Sequence, residues 1–241
     1  MTRRRFFAPP SAFHPGKRSV TLAADEARHL REVLRLKPGD EVSVFDGEGK
    51  EFRARVAQAR REFAELALDE EIPPARPESP LQITLAVALL KGEKFDLVVQ
   101  KATELGVNKI VPLTTRYADI KLRDEGDASK RVARWQRIAL EAAKQSGRAV
   151  VPEISLPATL ALILSETCLL FSEKGGHGLT EIATDKITAI IGSEGGWSNE
   201  ELDEARTAGA HIVTLGGRIL RAETAAITAA ALLQHRFGDL K

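Results

Sequence analysis

Residues 187–201 read ITAIIGSEGGWSNEE, an apolar run that passes through a glycine-rich turn into a polar segment. A β-branched run followed by glycines and then by Ser-Asn-Glu-Glu is typical of a strand, a turn and the first turn of a helix. Ser198 is a good N-cap residue, and Glu201 three positions later completes a capping box. The stretch therefore predicts one strand–helix unit of an α/β sheet.

The same alternation extends in both directions from this unit. LQITLAVALL (81–90) is a continuous apolar run, as expected for a strand that is covered on both faces. The strands and helices predicted after it are EKFDLVVQKATELG, KIVPLTT, SKRVARWQRIALEAAKQSG, CLLFSE, ITAIIGS, HIVTLG and RAETAAITAAALLQHRF. This pattern predicts a mostly parallel α/β sheet, whose ligands bind at the carboxyl ends of the strands. Three loops follow such ends, after CLLFSE, ITAIIGS and HIVTLG.

The N-terminal part of the chain has a different pattern. Residues 20–72 contain short runs that alternate apolar and polar positions, with one helix-like insert, DEARHLREVLRLKPGD (25–40), and together they predict a small β-barrel. IPPARPESP (72–80) has four prolines and is the best candidate for a linker. The predicted division is 1–72 for the barrel, 73–80 for the linker and 81–241 for the α/β domain.

Composition excludes several classes of protein. A single Cys cannot form a disulfide framework, and the five His are scattered without a metal-ligand spacing, so we expect neither disulfides nor a metal site. The N-terminus lacks the apolar core of a signal peptide, and no apolar run reaches the roughly 18 residues that span a bilayer. We therefore expect a cytoplasmic protein that does not enter membranes.

Charge is unevenly distributed, although the net charge of the chain is only +1. Residues 1–61 hold 14 Lys and Arg against 8 Asp and Glu, and residues 62–78 hold one Arg against six acidic residues. A basic N-terminal unit of this kind is compatible with nucleic-acid binding without requiring it.

Two glycine loops suggest different ligands. The loop around Glu194 has no Lys or Arg, and it matches neither a Walker loop nor the GxGxxG dinucleotide pattern. With Glu200 and Glu201 beside it, the loop suits a neutral or cationic ligand such as the sulfonium of S-adenosylmethionine. LGGRILRAETAA (215–226) carries Arg218 and Arg221, which favour a phosphate or a base edge. The alternative for the first loop is a tight turn plus a helix cap, with Glu194 solvated. For the second loop it is that Arg221 and Glu223 are surface charges in the first turn of a helix.

IGSEGGWSNEELDEARTAGAHIVTLGGRILRAETAAITAAALLQ (191–234) resembles the C-terminal signature of the SPOUT methyltransferases, in particular the RsmE family, which methylates N3 of one uridine in 16S rRNA. HLREVLRLKPGDEVSVFDGEGKEFRA, LLKGEKFDLVVQKATELGVNKIVPLTT and RWQRIALEAAKQSGRAVVPEI resemble other family segments in the expected order. The resemblance covers nearly the whole chain. One departure is Ser193, where the family usually has Pro.

The resemblance implies a PUA-like β-barrel for RNA, followed by an α/β SPOUT domain with a deep trefoil knot in residues 167–226. It also implies S-adenosylmethionine as methyl donor without a metal, the 30S ribosomal subunit and its 16S rRNA as partner, and a homodimer with the C-terminal helices at the interface. Two alternatives remain open: a SPOUT enzyme acting on another RNA site, and a cofactor-free RNA-binding or ribosome-assembly protein.

Site residues follow from matching the family pattern onto the three loops. Arg221 is the candidate for stabilising negative charge on the uracil, and Glu194 or Glu223 is the candidate base. The predicted cofactor-binding residues are Leu170, Phe171, Glu173, Gly192, Glu194, Gly195, Gly196, Leu215, Gly216, Ile219, Leu220 and Ala225. The RNA-binding residues are predicted from the basic charge of the barrel unit instead, and they are Arg3, Arg4, Arg5, Lys17, Arg18, Arg31 and Arg35, with Phe6 and Phe7 available for stacking. Arg148, at the end of a predicted helix, is added to them.

Overall fold

The computed structural model describes residues 4–118, 120, 122–165, 167–179 and 184–241. Contacts within the chain define two compact units, Met1–Glu78 with Ala143–Val151, and Ser79–Ala142 with Pro152–Lys241. Residues 143–151, which the sequence-based division assigned to the C-terminal domain, thus group with the N-terminal unit.

The N-terminal unit contains a six-stranded sheet. Its strands are β1 (Arg5–Phe7), β2 (Phe13–His14), β3 (Ser19–Leu22), β4 (Glu41–Phe45), β5 (Glu51–Ala59) and β6 (Ala64–Ile72), in the order β1-β4-β5-β6-β3-β2. Short 3₁₀ turns lie at Pro10–Ala12 and Pro15–Lys17, and helix α1 (Ala24–Arg28) continues as a π-helical turn over His29–Val33. The alternating segments SVTLA, DEVSVFDG, KEFRARVAQA and AELALDEEI form β3, β4, β5 and β6, as their pattern predicts. The helical insert ends earlier than its sequence pattern suggested.

Strand β1 was not predicted from the sequence, although its residue Phe6 lies in the core of the N-terminal unit. Phe6 in β1 is fully buried with Val20, Leu22 and Leu66. Three arginines precede Phe6, so the segment looks like a basic tail, yet β1 pairs in parallel with β4 and brings Phe6 opposite Val44. Phe6 is consequently a core residue, and the expectation that it is available for stacking on RNA is wrong.

The second unit contains a parallel seven-stranded sheet. Its elements are β7 (Gln82–Ala88), α2 (Lys94–Glu104), β8 (Lys109–Thr114), α3 (Glu125–Ser146), β9 (Glu153–Ile154), β10 (Ala158–Thr159), a 3₁₀ turn at Leu160–Leu162, β11 (Cys168–Phe171), β12 (Lys186–Ile191), α4 (Asn199–Thr207), β13 (His211–Val213) and α5 (Ala222–Phe237). The strand order is β10-β8-β7-β12-β11-β13, with β9 also paired to β8. Every described pair in this sheet is parallel, which confirms the predicted α/β class.

The central strands are apolar because both of their faces are covered. Ile83, Leu85 and Ile190 are fully buried, and α5 packs against α2, β7 and β12. The chain therefore runs from the edge strand β13 back to the middle of the sheet before it forms α5. The trefoil knot implied by the family resemblance stays a prediction. Within the described parts of the chain, no helix is both long and apolar enough to cross a bilayer.

Candidate active site

Three loops meet at one edge of the parallel sheet. Strands β12, β11 and β13 are neighbours, so the loops that follow their carboxyl ends lie side by side. They enclose a cavity of about 400 Å³. Of the predicted cofactor-binding residues, the cavity is lined by Phe171, Glu173, Gly192, Glu194, Gly195, Gly196, Leu215, Gly216, Ile219, Leu220 and Ala225. Leu170 is fully buried in β11 and is not among the lining residues.

The glycines after β12 are required by close packing as well as by the turn. A Cβ on Gly192 would lie 2.9 Å from the Cε2 atom of Trp197, and the Trp197 ring is held because its Nε1 donates to the carbonyl of Phe171 at 2.9 Å. Gly196 has a φ of +71°, which an L side chain adopts only with strain. Replacing either glycine would therefore move the wall of the cavity.

Glu194 is not an isolated carboxylate. Lys94, at the start of α2, donates a hydrogen bond to Glu194 and forms an ion pair with it. The loop itself lacks a cation, as its sequence shows, but the fold places one beside it. Sequence reasoning missed Lys94 because the two residues are 100 positions apart, and no local pattern connects them.

The N-terminus of α4 is capped by side chains of the protein itself, including the carboxylate of Glu201. The predicted capping box is confirmed: Ser198 accepts a hydrogen bond from the Glu201 amide, and Glu201 accepts one from the Ser198 amide. The second carboxylate oxygen of Glu201 accepts from the Arg116 amide at 2.9 Å, and Glu200 forms an ion pair with Arg116 at 3.0 Å. This helix end is therefore occupied and unsuited to a phosphate ligand.

The pKa of Glu200 is lowered from its ordinary value. A backbone hydrogen bond at Glu200 contributes most, followed by a hydrogen bond with the Ser198 side chain and then by the positive charge of Arg116. Each of these interactions favours the charged carboxylate.

The two remaining catalytic candidates lie at the start of α5. Arg221 is the N-cap residue of the helix, with an exposed side chain that makes no cap hydrogen bond. It is not a lining residue, but its neighbours Leu220 and Ala222 are. Glu223, in the first turn, is half-buried, and its Oε2 atom is buried without a hydrogen-bond partner among the described residues. An orphaned carboxylate oxygen of this kind is costly and calls for an explanation.

Two protein-family models match the chain. One, described as an RNA methyltransferase PUA domain, matches residues 22–69, and the other, described as an RNA methyltransferase domain, matches residues 77–234. The ribosomal RNA small subunit methyltransferase E of Rickettsia conorii is 34% identical over 223 residues, which cover 88% of each chain. The chain belongs to the ribosomal RNA small subunit methyltransferase E family. The relative of the same name from Synechocystis is also 34% identical, over 88% of this chain and 72% of its own.

Solved structures of similar chains agree with this assignment to the methyltransferase E family. A ribosomal RNA small subunit methyltransferase E from Neisseria gonorrhoeae, bound to S-adenosyl methionine, matches with a TM-score of 0.86 and 35% identity, over 99% of this chain and 100% of its own. A chain from Legionella pneumophila in complex with bound cofactor SAM matches with a TM-score of 0.87 and 32% identity, over 100% of both chains.

The residues of this methyltransferase E chain fit S-adenosylmethionine. The cavity has the size of a typical cofactor site. Ser193 and Thr214 line it, and their buried side-chain oxygens have no hydrogen-bond partner within the described chain. These hydroxyls are therefore available to a polar ligand. The wall carries charges of both signs, with carboxylates from Glu173 and Glu194 and cations from Lys174 and Arg218. It therefore offers partners to both the ammonium and the carboxylate of the cofactor's amino-acid group.

The RNA-binding candidates of this methyltransferase E chain fall into three groups. Arg4, Lys17 and Arg35 are exposed. Arg18 is exposed and donates to the Asp69 carbonyl, whereas Arg31 is half-buried and paired with Glu32. Arg3 lies outside the described residues.

Arg5 and Arg148 form the third group and are buried. Arg5 pairs with Glu51 at 3.2 Å and donates to the Arg148 carbonyl at 2.7 Å, and Arg148 pairs with Glu78 at 2.7 Å. The side chains of the two arginines are 8% and 5% exposed. Since the protein's own carboxylates hold both guanidinium groups, Arg5 and Arg148 have structural roles and their charges are not presented to RNA.

Proposed function

We propose that this protein transfers a methyl group from S-adenosylmethionine to N3 of one uridine in the 16S rRNA of the small ribosomal subunit. The observation that carries the proposal is the cavity at the carboxyl ends of β11, β12 and β13, whose glycine loops lie within residues 77–234, the stretch that matches the RNA methyltransferase domain. The S-adenosyl methionine-bound structure from Neisseria gonorrhoeae supports the choice of cofactor. The bound cofactor supplies an electrophilic methyl group, and the protein's residues supply the rest.

The chemistry of uridine defines what those residues must do. N3 carries a proton and is a poor nucleophile until that proton leaves, after which negative charge spreads to O2 and O4. We assign stabilisation of this charge to Arg221, because a planar guanidinium can donate two hydrogen bonds to a planar edge. N3 must also be aligned with the methyl group, which positioning in the cavity provides.

We assign the proton acceptor to Glu223 rather than Glu194. The carboxylate of Glu194 is engaged by Lys94, whereas Glu223 keeps one buried oxygen without a partner in the described chain. A carboxylate with an unoccupied oxygen has a lone pair available for the N3 proton. The N3–H bond breaks and an O–H bond forms on Glu223. The electron pair left on N3 would form the new N–C bond as the S–CH3 bond of the bound cofactor breaks, with the electron pair of that bond staying on sulfur in the departing S-adenosylhomocysteine.

RNA docking and assembly complete the proposal. The exposed basic residues of the N-terminal unit, Arg4, Lys17, Arg18 and Arg35 together with half-buried Arg31, form the proposed RNA contacts, with Arg3 added from the sequence. We retain the PUA-like domain, now with residues 143–151 grouped with it, the trefoil knot, the cytoplasmic location and the homodimer as parts of the same proposal. Light scattering tests the homodimer, because a mass near the 26.3 kDa of one chain would contradict it.

The decisive experiment is methyl transfer from labelled S-adenosylmethionine to small ribosomal subunits that lack uridine methylation. Mass mapping of the labelled RNA should place the label on a single N3-methyluridine. A different modified nucleotide would keep the enzyme class and change the substrate. Absence of transfer to subunits and to free 16S rRNA would reject the proposed function.

A further inference from the structure

The turn that follows β8 is held firmly against the loop after β12. The Ala118 amide donates to the Thr115 carbonyl at 3.2 Å, which closes the turn. The Arg116 amide donates to Glu201 at 2.9 Å, and the Arg116 guanidinium pairs with Glu200 at 3.0 Å. The hydrogen bond from the Arg116 amide to Glu201 thus holds the backbone on the N-terminal side of Tyr117, while the ion pair with Glu200, between exposed side chains, adds little.

Tyr117 borders the cavity through Gly195. A Cβ on Gly195 would lie 2.7 Å from the Cβ of Tyr117 and 3.2 Å from its carbonyl oxygen, so only glycine permits this approach. Gly195 itself lines the cavity. Tyr117 therefore packs directly on the proposed cofactor-binding loop at Gly195.

The side chain of Tyr117 is nevertheless 49% exposed. Within the described chain it is the one aromatic residue among the exposed large hydrophobic side chains, the others being Val33, Leu97, Leu156, Leu162, Ile219, Leu232 and Leu240. A half-exposed ring gains little from burial. Its turn is nonetheless anchored by backbone hydrogen bonds, and it sits beside a site that we propose to act on RNA.

We propose that Tyr117 is a stacking platform for a base of the single-stranded RNA segment that carries the target uridine. Proteins recognise unstacked RNA bases by placing them on exposed aromatic rings, and any base offers a face for this contact. The anchored turn presents the ring at a defined place next to the cavity, which lowers the entropy cost of binding. This inference rests on the proposed function, because it takes RNA as the substrate.

Three substitutions of Tyr117 separate stacking from packing. Tyr117→Ala removes the ring, Tyr117→Leu keeps an apolar side chain without an aromatic face, and Tyr117→Phe keeps the ring. We expect the Ala and Leu variants to raise the KM for 16S rRNA about tenfold, which corresponds to about 1.4 kcal/mol, and the Phe variant to stay within about twofold of wild type. Leu162→Ala is the matched control, because Leu162 is 77% exposed and is not a lining residue of the cavity.

Two further measurements decide between roles. Isothermal titration should give the same S-adenosylmethionine affinity for all variants. If Tyr117→Ala weakened S-adenosylmethionine binding by the same factor as it raised the KM for 16S rRNA, the residue would only support the loop. That result would overturn the inference. Wild-type KM values in Tyr117→Ala and Tyr117→Leu would overturn it as well.

Binding of a short oligouridine, measured by fluorescence anisotropy, needs no catalysis and keeps this inference separate from the proposed function. Tyr117→Ala should weaken binding of oligouridine and leave binding of an abasic oligonucleotide of the same length unchanged. Equal weakening of both would assign Tyr117 to backbone contact and reject stacking. Stacking on oligouridine without methyl transfer to any rRNA would reject the proposed function alone.

Discussion

Neighbouring arginines in this protein have different environments that their sequence does not distinguish. Arg4 is exposed, whereas Arg5 is buried against Glu51 and its guanidinium lies 3.8 Å from the centre of the Phe45 ring. Burial of Arg5 follows from its position in β1. Sequence reasoning assigned both residues to RNA because it registered their charge and not the strand.

Substituting Arg5 should therefore destabilise the fold, whereas substituting Arg4 should hardly change its stability. We expect Arg5→Ala to lower the free energy of unfolding by roughly 3–5 kcal/mol, because it leaves the carboxylate of Glu51 buried beside a cavity. Arg4→Ala is the matched control and should change stability by less than about 0.5 kcal/mol. Urea denaturation measures both. Equal stability of the two variants would contradict a structural role for Arg5.

Arg221 should act on turnover and not on cofactor binding. We expect Arg221→Ala to lower kcat about a hundredfold, as for removal of a donor that stabilises developing negative charge, and to change the Kd of S-adenosylmethionine less than twofold. Steady-state kinetics and titration calorimetry measure the two quantities. Arg137→Ala, an exposed arginine on α3, is the control. Equal losses in kcat and in cofactor affinity would contradict the assignment of Arg221 to stabilising charge on the uracil.

The same kinetics compare the two carboxylates proposed as base. Glu223→Gln should lower kcat by about 10²-fold or more, the usual contribution of a general base. Glu194→Gln is its matched control and should have the smaller effect on kcat, because Lys94 already occupies that carboxylate. The reverse order would transfer the role of proton acceptor to Glu194.

At the scale of elements, the N-terminus of α4 carries the Ser198 cap beside the carboxylate of Glu200, whose pKa is lowered. Ser198→Ala removes the hydroxyl that accepts from the Glu201 amide, so we expect a loss of roughly 0.5–2 kcal/mol of stability. Asn199→Ala, one position later, is the control. Thermal denaturation near neutral pH should show a lower Tm for the Ser198 variant alone, and an unchanged Tm would contradict a stabilising role of the capping box.

The pKa of Glu200 gives a second readout at this helix end. Its pKa lies below the ordinary value partly because of the Ser198 side chain, so Ser198→Ala should raise it, as followed by NMR titration. A lowered pKa in the folded state means that the charged carboxylate stabilises the fold at neutral pH. This contribution disappears as the pH falls through the folded pKa. No rise in the variant would show that Ser198 does not act on Glu200.

Elements with a strong local pattern could be predicted from the sequence. Strands β7 and β12 and the capping box of α4 were identified because continuous apolar runs and the Ser-x-x-Glu spacing are local signals. The short strands β9 and β10, with two residues each, have no such signal. The three cavity loops were chosen correctly as neighbours because parallel strands end at the same edge, whereas the contacts of Lys94 and Arg116 join distant segments and have no local signature.

At the scale of the whole molecule, cofactor binding distinguishes the enzyme from a cofactor-free RNA-binding protein. A ligand that binds only the folded state at a hundred times its Kd stabilises it by about 2.7 kcal/mol. For a chain of this size we expect S-adenosylmethionine to raise the Tm by roughly 5–10 °C. Differential scanning fluorimetry measures this shift, with ATP as a control that shares the adenosine moiety. An unchanged Tm at saturating S-adenosylmethionine would favour the cofactor-free reading.

The position of β12 has a consequence for synthesis of the chain. β12 pairs with β7 on one side and β11 on the other, yet residues 89–185 separate it in sequence from β7. During translation β7 and β8 leave the ribosome before β12 does. One apolar edge of β7 therefore stays unpaired until about a hundred more residues have been synthesised. Non-local pairing of this kind is slow and leaves the growing chain open to aggregation. We therefore expect the growing chain to be prone to aggregation in the interval between synthesis of β7 and synthesis of β12.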